Sequence, residues 1–404
     1  MRTVLVTGLG GAGRTTVAAA TALCAARSGK RTLFLSAEPG DILAAPVTGS
    51  LGEPAEVTGG LWAARIEAGA AFRAEFMALQ ERSSGALDLL GARPLEDEEL
   101  TELPGSEQFA LLRALTVASR GDWDVLVVDM PPLRETIAAL ALPEQLRRYL
   151  RRLLPVERQA ARALRPMLAQ LAGVPMPAQW LYATADRWDT ELAGVQTVIE
   201  ARGTTLRVVA EPSPAAADVL RTARPGLALH GLDVDTLVPN RILPRQSPDA
   251  WLATLCAQQE KHLGEWYAQW APGIPLREVR HLGRDPRGLD DLGALLEDGG
   301  LAVEPAPDPG QRRDDPWRVE FPGGAGDDGE GPLYVWHLPL PGAVKEDVSL
   351  VRRGDELLVT VGPFRRIVPL HSVLRRCTVS GAGLTDGALR VRFTPDPELW
   401  PRAR

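Results

Sequence analysis

Along residues 1–300, short apolar runs alternate with longer stretches whose apolar residues recur at helical spacing. The runs Thr3–Thr7, Thr32–Ser36, Asp124–Asp129, Thr205–Ala210 and Val234–Val238 are rich in β-branched residues or Leu, and each predicts a strand. Strands alternating with helical patterns predict an α/β fold, a parallel sheet covered by helices on both faces. Two stretches, Ala68–Ser119 and Leu142–Leu171, are longer than a crossover needs and predict helix-rich insertions beside the sheet. In the second, Leu146, Leu150, Leu153 and Leu154 form a stripe that predicts a core face, while Arg147, Arg148, Arg151 and Arg152 predict a solvated one.

Residues 301–316 break this texture. Glu304–Pro316 gathers proline, glycine and charge without apolar periodicity, which predicts a linker. Beyond it, Trp317–Phe321, Leu333–Leu338, Val348–Val351, Glu356–Val361, Arg366–Leu370, Arg376–Val379 and Ala388–Phe393 predict short strands separated by turns such as Gly354-Asp355 and Asp386-Gly387. In the last of them Leu389, Val391 and Phe393 alternate with Arg390 and Arg392, so one face is buried and one is wet. Residues 317–404 therefore predict a small all-β sandwich.

Composition narrows the function. With 45% hydrophobic and 24% charged residues among 404, the chain can bury a sizeable core. A net charge of −7 argues against a nucleic-acid partner, which would call for a basic footprint. Three cysteines, Cys24, Cys256 and Cys377, allow no disulfide framework, and on separate predicted elements they read as core residues rather than converging ligands. The five histidines are scattered and no zinc-type spacing occurs. There is no charged-then-apolar leader and no run of about 18 apolar residues, so a cytoplasmic protein without a transmembrane segment is expected.

The strongest local signal is Gly8-Leu9-Gly10-Gly11-Ala12-Gly13-Arg14-Thr15-Thr16, between the first strand and an Ala-rich helix. Glycines allow backbone N–H groups to converge, and the helix N-terminus adds its positive end; together they make a nest of phosphate size. In such a P-loop, Thr15 offers its hydroxyl to Mg²⁺, and Arg14 stands where a lysine normally touches the β- and γ-phosphates. The same letters spell G-x-G-x-x-G at Gly8, Gly10 and Gly13, and Glu38 lies near where a ribose-binding acid is expected, about 20 residues on. A dinucleotide site is therefore an open alternative.

Read in order, the segments resemble the arsenite-pump ATPase (ArsA) family, which includes ATPases that target tail-anchored membrane proteins. The P-loop is similar to that family's G-K-G-G-x-G-K-T-T. Ser36-Ala37-Glu38-Pro39-Gly40-Asp41-Ile42-Leu43 resembles its first switch, and Asp129-Met130-Pro131-Pro132-Leu133-Arg134-Glu135-Thr136-Ile137 its second. Pro104-Gly105-Ser106-Glu107 and Val238-Pro239-Asn240-Arg241 match two further segments. The tail resembles a small heat-shock (HSP20, α-crystallin-like) domain through Asp386-Gly387-Ala388-Leu389 and the strands before it.

The resemblance implies a P-loop NTPase that binds ATP and Mg²⁺ and works as a dimer. It implies that Gly10, Gly11, Gly13, Arg14, Thr15 and Thr16 hold phosphates, with Thr15 on the metal. Asp129 would support Mg²⁺ through water, Glu38 would position the attacking water, and Asn240 would face adenine. The chain departs from the pattern at both lysines. Leu9 replaces the one that reaches across the dimer, and Arg14 keeps the charge of the other in a planar fork. Glu38 replaces an aspartate, and the second switch has lost its Thr-Gly-His to Pro131-Pro132-Leu133. Nucleotide binding with weak or partner-dependent hydrolysis is the resulting expectation: a dimeric switch or chaperone-like factor, with an intact paralogue as heterodimer partner and a protein cargo. A non-enzymatic chaperone or scaffold with a vestigial site is the alternative beside the dinucleotide reading.

Overall fold

The computed structural model describes residues 1–404 except 48, 83–94, 97–98, 102–103, 155–178, 298, 322–332 and 401–404. The first part is a seven-stranded sheet in the order β3-β4-β2-β5-β1-β6-β7. The strands are β1 (Arg2–Gly8), β2 (Thr32–Ser36), β3 (Ala55–Thr58), β4 (Leu61–Arg65), β5 (Val125–Pro132), β6 (Thr204–Ala210) and β7 (Val234–Pro239). All neighbours are parallel except the edge pair β3–β4, which is antiparallel. The five strands expected from the sequence are present; β3 and β4 extend the sheet beyond them.

Alternation along each strand divides the core. Val4, Val6, Phe34 and Val127 face α1 (Arg14–Arg27), where Val17 and Ala18 are buried. Leu5, Leu35, Leu126 and Val128 face the other way, onto helices that contribute Leu115, Ile137, Val195 and Leu220. These belong to α4 (Ser106–Ala118), α5 (Leu133–Leu153), α6 (Gln179–Glu200) and α7 (Pro214–His230); α2 (Pro39–Leu43) and α3 (Ala68–Arg82) precede them in the chain. Of the two expected insertions, Ala68–Ser119 supplies α3 and α4. Inside it, α4 is a core helix of the sheet, with Leu111, Leu112 and Leu115 buried. Residues 155–171 of the second insertion lie outside the described residues.

Helix α5 departs in part from the expected inside and outside of its second half. Leu153 is 77% exposed, and Tyr149 beside the stripe is also exposed. The buried row begins at Leu133, Ile137 and Leu140, and helical spacing carries it on to the half-buried Glu144, Arg147 and Arg148, while Leu146, Leu150 and Leu154 are half-buried as well. The inward charges are paired. Arg147 donates to both carboxylate oxygens of Asp189, at 3.0 and 3.2 Å, and Arg148 forks onto Glu356 at 2.8 and 2.6 Å. Arg147 and Arg148 thus form a packed seam, whereas Arg151 and Arg152, with side chains 61% and 70% exposed, are solvated as the sequence leads one to expect.

The C-terminal part holds a four-stranded sheet, β13-β14-β9-β8, and a three-stranded one, β10-β11-β12. Its strands are β8 (Arg318–Glu320), β9 (Tyr334–Pro339), β10 (Val348–Arg353), β11 (Glu356–Val361), β12 (Phe364–Pro369), β13 (Cys377–Thr385) and β14 (Ala388–Pro395), and their pairings are antiparallel. Trp336, Val359, Leu389, Val391 and Phe393 are buried in its core. His337, on the same strand as Trp336, pairs with Glu320 at 2.9 Å.

Residues 301–316 lie along the N-terminal ends of β6 and β7. Arg207 donates to the carbonyls of Leu301 and Ala302 at 3.0 and 3.1 Å, and Gly203 N–H to Pro309 O at 2.9 Å. Arg313 donates to Gly231 O at 2.6 Å and Ala201 O at 3.0 Å. The β-sandwich docks on α7. Gly226 has no side chain where the Phe364 ring packs, since a Cβ there would stand 2.4 Å from that ring. Arg366 donates to Leu229 O at 2.9 Å, pairs with Glu144, and lies 4.9 Å over the Trp317 ring.

Candidate functional site

The register brings the C-terminal ends of five strands to one edge of the sheet. Val6 pairs with Asp129, Gly8 with both Pro132 and Val209, Leu35 with Val128, and Ala210 with Pro239. In open parallel sheets this is where ligands bind. The glycine-rich loop leaves β1, an interior strand, there. Gly8 touches β6 so closely that a Cβ would sit 1.9 Å from Val209 O, so only glycine fits. Gly11 and Gly13 take left-handed φ values of 75° and 84°, and Gly13 caps α1. Around Gly10 and Gly11 an added Cβ would meet no atom within 4 Å, so the loop borders open space.

Beneath the loop lies a hydroxyl–carboxylate cluster. Thr15 Oγ1 donates to Asp129 Oδ2 at 2.8 Å, and Ser36 Oγ donates to the same oxygen at 3.0 Å. Burial pushes the Asp129 carboxyl above the usual range; the two hydroxyl bonds and the charge of Arg14 act against that shift. Ser36 Oγ also accepts the Glu38 N–H at 3.4 Å. Glu38 itself is exposed and precedes the short helix α2. Arg14 Nη1 donates to Met130 O at 2.6 Å. Asn240 is buried under the loop, with Nδ2 donating to Ala12 O at 2.7 Å, and a Cβ on Gly13 would strike that nitrogen at 2.4 Å. Thr16 is half-buried on the first turn of α1.

The structure therefore brings Arg14, Thr15 and Asp129 together, with Asn240 under the same loop and Glu38 on the rim. Leu9 is half-buried against both core clusters. The segment resembling the second switch is built into the fold. β5 runs through Pro132, and α5 starts at Leu133 without a loop. Thr136, fully buried, donates to Pro131 O at 2.7 Å, and Thr7 donates to the same carbonyl at 2.8 Å. Sequence reasoning assigned no role to Ser36, although it ends an apolar strand and opens the segment that resembles the first switch.

A glycine crown on an interior strand of a mostly parallel sheet, with a threonine hydroxyl bonded to a strand-end aspartate, defines a P-loop NTPase-like fold. Comparison with known proteins narrows this further. Residues 1–297 match the anion-transporting ATPase family and residues 332–393 the HSP20-like domain found in ArsA. The chain belongs to the anion-transporting ATPase family. It is 55% identical to an uncharacterised protein of Streptomyces coelicolor, over 100% of both chains. It is 33% identical to a protein of Mycobacterium tuberculosis over 99% of this chain and 97% of that one. It is 27% identical to a protein of Aquifex aeolicus named as an arsenical pump-driving ATPase, over 93% of this chain and 95% of that one.

Family membership implies nucleotide binding, typically with Mg²⁺. The residues present suit that group: hydroxyl and carboxylate oxygens are the hard donors that Mg²⁺ prefers, and the open hollow at Gly10 and Gly11 adjoins them. Among the described residues no group of three or more His, Cys, Asp and Glu side chains could hold a metal by itself. None of the described helices is long and apolar enough to cross a membrane.

Proposed function

We propose that this chain binds ATP with Mg²⁺ in the glycine crown and acts as a nucleotide-dependent dimeric switch or chaperone-like factor, hydrolysing ATP weakly or only with a partner. The observation that carries the reading is the 2.8 Å bond from Thr15 to Asp129 at the foot of the open glycine hollow. The N–H groups of Gly10, Gly11 and Gly13 and the guanidinium of Arg14 would bind phosphate oxygens. Thr15 would hold the metal directly and Asp129 through water; bound Mg²⁺ offsets phosphate charge. Asn240 braces the loop through Ala12, which leaves its Oδ1 for an adenine amine. Glu38 would orient the attacking water.

Slow hydrolysis follows from three features. Glu38 carries one methylene more than aspartate, and misplacement by about 1 Å can cost on the order of 100-fold in rate. The second switch is fastened by Thr7 and Thr136 to the end of β5. Leu9 packs inward, so no cation extends from that position toward a partner's nucleotide. Each lost charge-assisted bond costs about 1.5–3 kcal/mol, or one to two decades. Two copies of this chain would both lack the cross-dimer cation, whereas an intact paralogue would supply it.

The test is phosphate release by the chain alone and mixed with a relative that carries both motif lysines. The reading expects about tenfold or greater stimulation in the mixture. Equal rates in both samples contradict partner dependence. A second reading, a scaffold with a vestigial site, is favoured by the bond that already engages Arg14 at Met130 O; in that case the mixture gains no activity and the chain binds no ATP.

A further inference from the structure

We propose that Arg14 and helix α5 form a relay through which phosphate in the glycine crown changes the grip of α5 on the C-terminal β-sandwich. The inference rests on the nucleotide-binding reading above, and it adds to that reading a destination for the signal.

The near end of the relay is the bond from Arg14 Nη1 to Met130 O at 2.6 Å. Met130 stands two residues before Pro132, which pairs with Gly8 and serves as the N-cap of α5. There is no slack at this junction. Thr7 and Thr136 share the Pro131 carbonyl and lie 2.9 Å apart, and Leu133 and Ile137 are fully packed. Movement of the strand end is therefore movement of the helix start.

The second half of α5 meets the sandwich at two charged clamps. Glu144 pairs with Arg366 on β12 at 3.1 Å, and Arg148 forks onto Glu356 on β11 at 2.8 and 2.6 Å. Arg366 also holds the last turn of α7 through Leu229 O. Between the two ends stands Pro143, buried inside the helix, where one backbone donor is missing. Prolines are where helices bend, so a tilt of the first half reaches the clamps through this point.

Phosphate supplies the differential interaction that a shift requires. A guanidinium presents its donors in a rigid planar fork, and a charged phosphate oxygen is a stronger acceptor than a neutral carbonyl. Turning the fork into the crown withdraws Nη1 from Met130 O and removes one of the bonds that hold the strand end. Packed interfaces respond to such changes by switching between discrete arrangements rather than by yielding continuously.

The experiment uses the full chain and two measurements, calorimetric titration with Mg·ATP and amide hydrogen exchange with and without Mg·ATP. In the wild type, exchange in 364–369 and 214–230 should change by about fivefold or more on ATP binding. In Arg14→Met without nucleotide, exchange there should already resemble that of the ATP-bound wild type. In Glu356→Gln, ATP should bind within about twofold of the wild-type affinity while the response of 364–369 is lost. Glu144→Gln, cutting the second clamp, replaces Glu356→Gln if that variant misfolds. Binding heat with unchanged exchange at 364–369 overturns the relay and leaves the nucleotide reading standing. An Arg14→Met pattern equal to nucleotide-free wild type also overturns it. Absence of binding heat overturns both.

Discussion

Arg14 donates through Nη1 to the carbonyl oxygen of Met130 at 2.6 Å, across 116 positions of sequence. The contact ties the cation of the P-loop to the strand that carries Asp129, and it shows how a guanidinium is accommodated where this kind of loop ordinarily has an ammonium. Arg14→Ala should weaken Mg·ATP binding about 10–100-fold, the value of a charge-assisted bond. Arg14→Lys should retain binding within about tenfold of wild type, because a lysine keeps the point charge but not the fork. Equilibrium dialysis with labelled ATP checks both.

Gly13 is needed twice. Its φ of 84° suits glycine, and an added Cβ would fall 2.4 Å from Asn240 Nδ2. Gly13→Ala should therefore destabilise the protein by about 1–3 kcal/mol and displace Asn240 from Ala12 O. Urea unfolding measures the first effect. An adenine-specific loss of affinity, larger for ATP than for inorganic triphosphate, reports the second.

Much of this arrangement was legible in the sequence because it is local. The run Thr32–Ser36 is a strand to the residue, and the glycine-rich nine-residue stretch predicts its own loop. Strands β3 and β4 were not legible: they are short, and Leu61–Arg65 contains two alanines and an arginine whose strand character comes from pairing with β2. β5 runs on to Pro132 because that end is a parallel partner of Gly8, although two prolines in succession read as a loop. The inward turn of Glu144 and Arg148 depends on where the β-sandwich docks, which no helical pattern encodes. Ser36 and Met130 enter the site through contacts with distant segments, one through a hydroxyl and one through a backbone carbonyl.

Docking of the sandwich should depend on the missing side chain at Gly226. Gly226→Val would press against the Phe364 ring, and overpacking of that kind costs about 1–3 kcal/mol. Phe364→Leu alone should also destabilise, by loss of burial. Combined, the two should cost less than their sum, because the smaller side chain makes room for the valine. A double-mutant cycle by urea denaturation checks the sign of that coupling.

His230, at the end of α7, should make stability fall in mild acid. Burial, with a smaller push from the Arg366 charge, lowers its value from 6.5 to about 3, and its Nδ1 is buried without a hydrogen-bond partner. The folded value lies below the unfolded one, so the unfolded chain takes up the proton first. The contribution is undiminished above pH 6.5 and erodes between there and about pH 3, by up to about 1.4 kcal/mol per pH unit for one proton. The difference in stability between wild type and His230→Gln, followed by urea unfolding from pH 7 to pH 5, should change with that slope.

The central claim is that the glycine crown, with arginine in place of lysine, still takes a triphosphate. Isothermal titration of the full chain with Mg·ATP and, separately, with NADH tests it most directly. The account predicts saturable heat with Mg·ATP, weakened by Gly13→Ala, and none with NADH. Heat with NADH alone, or silence with both, would contradict it.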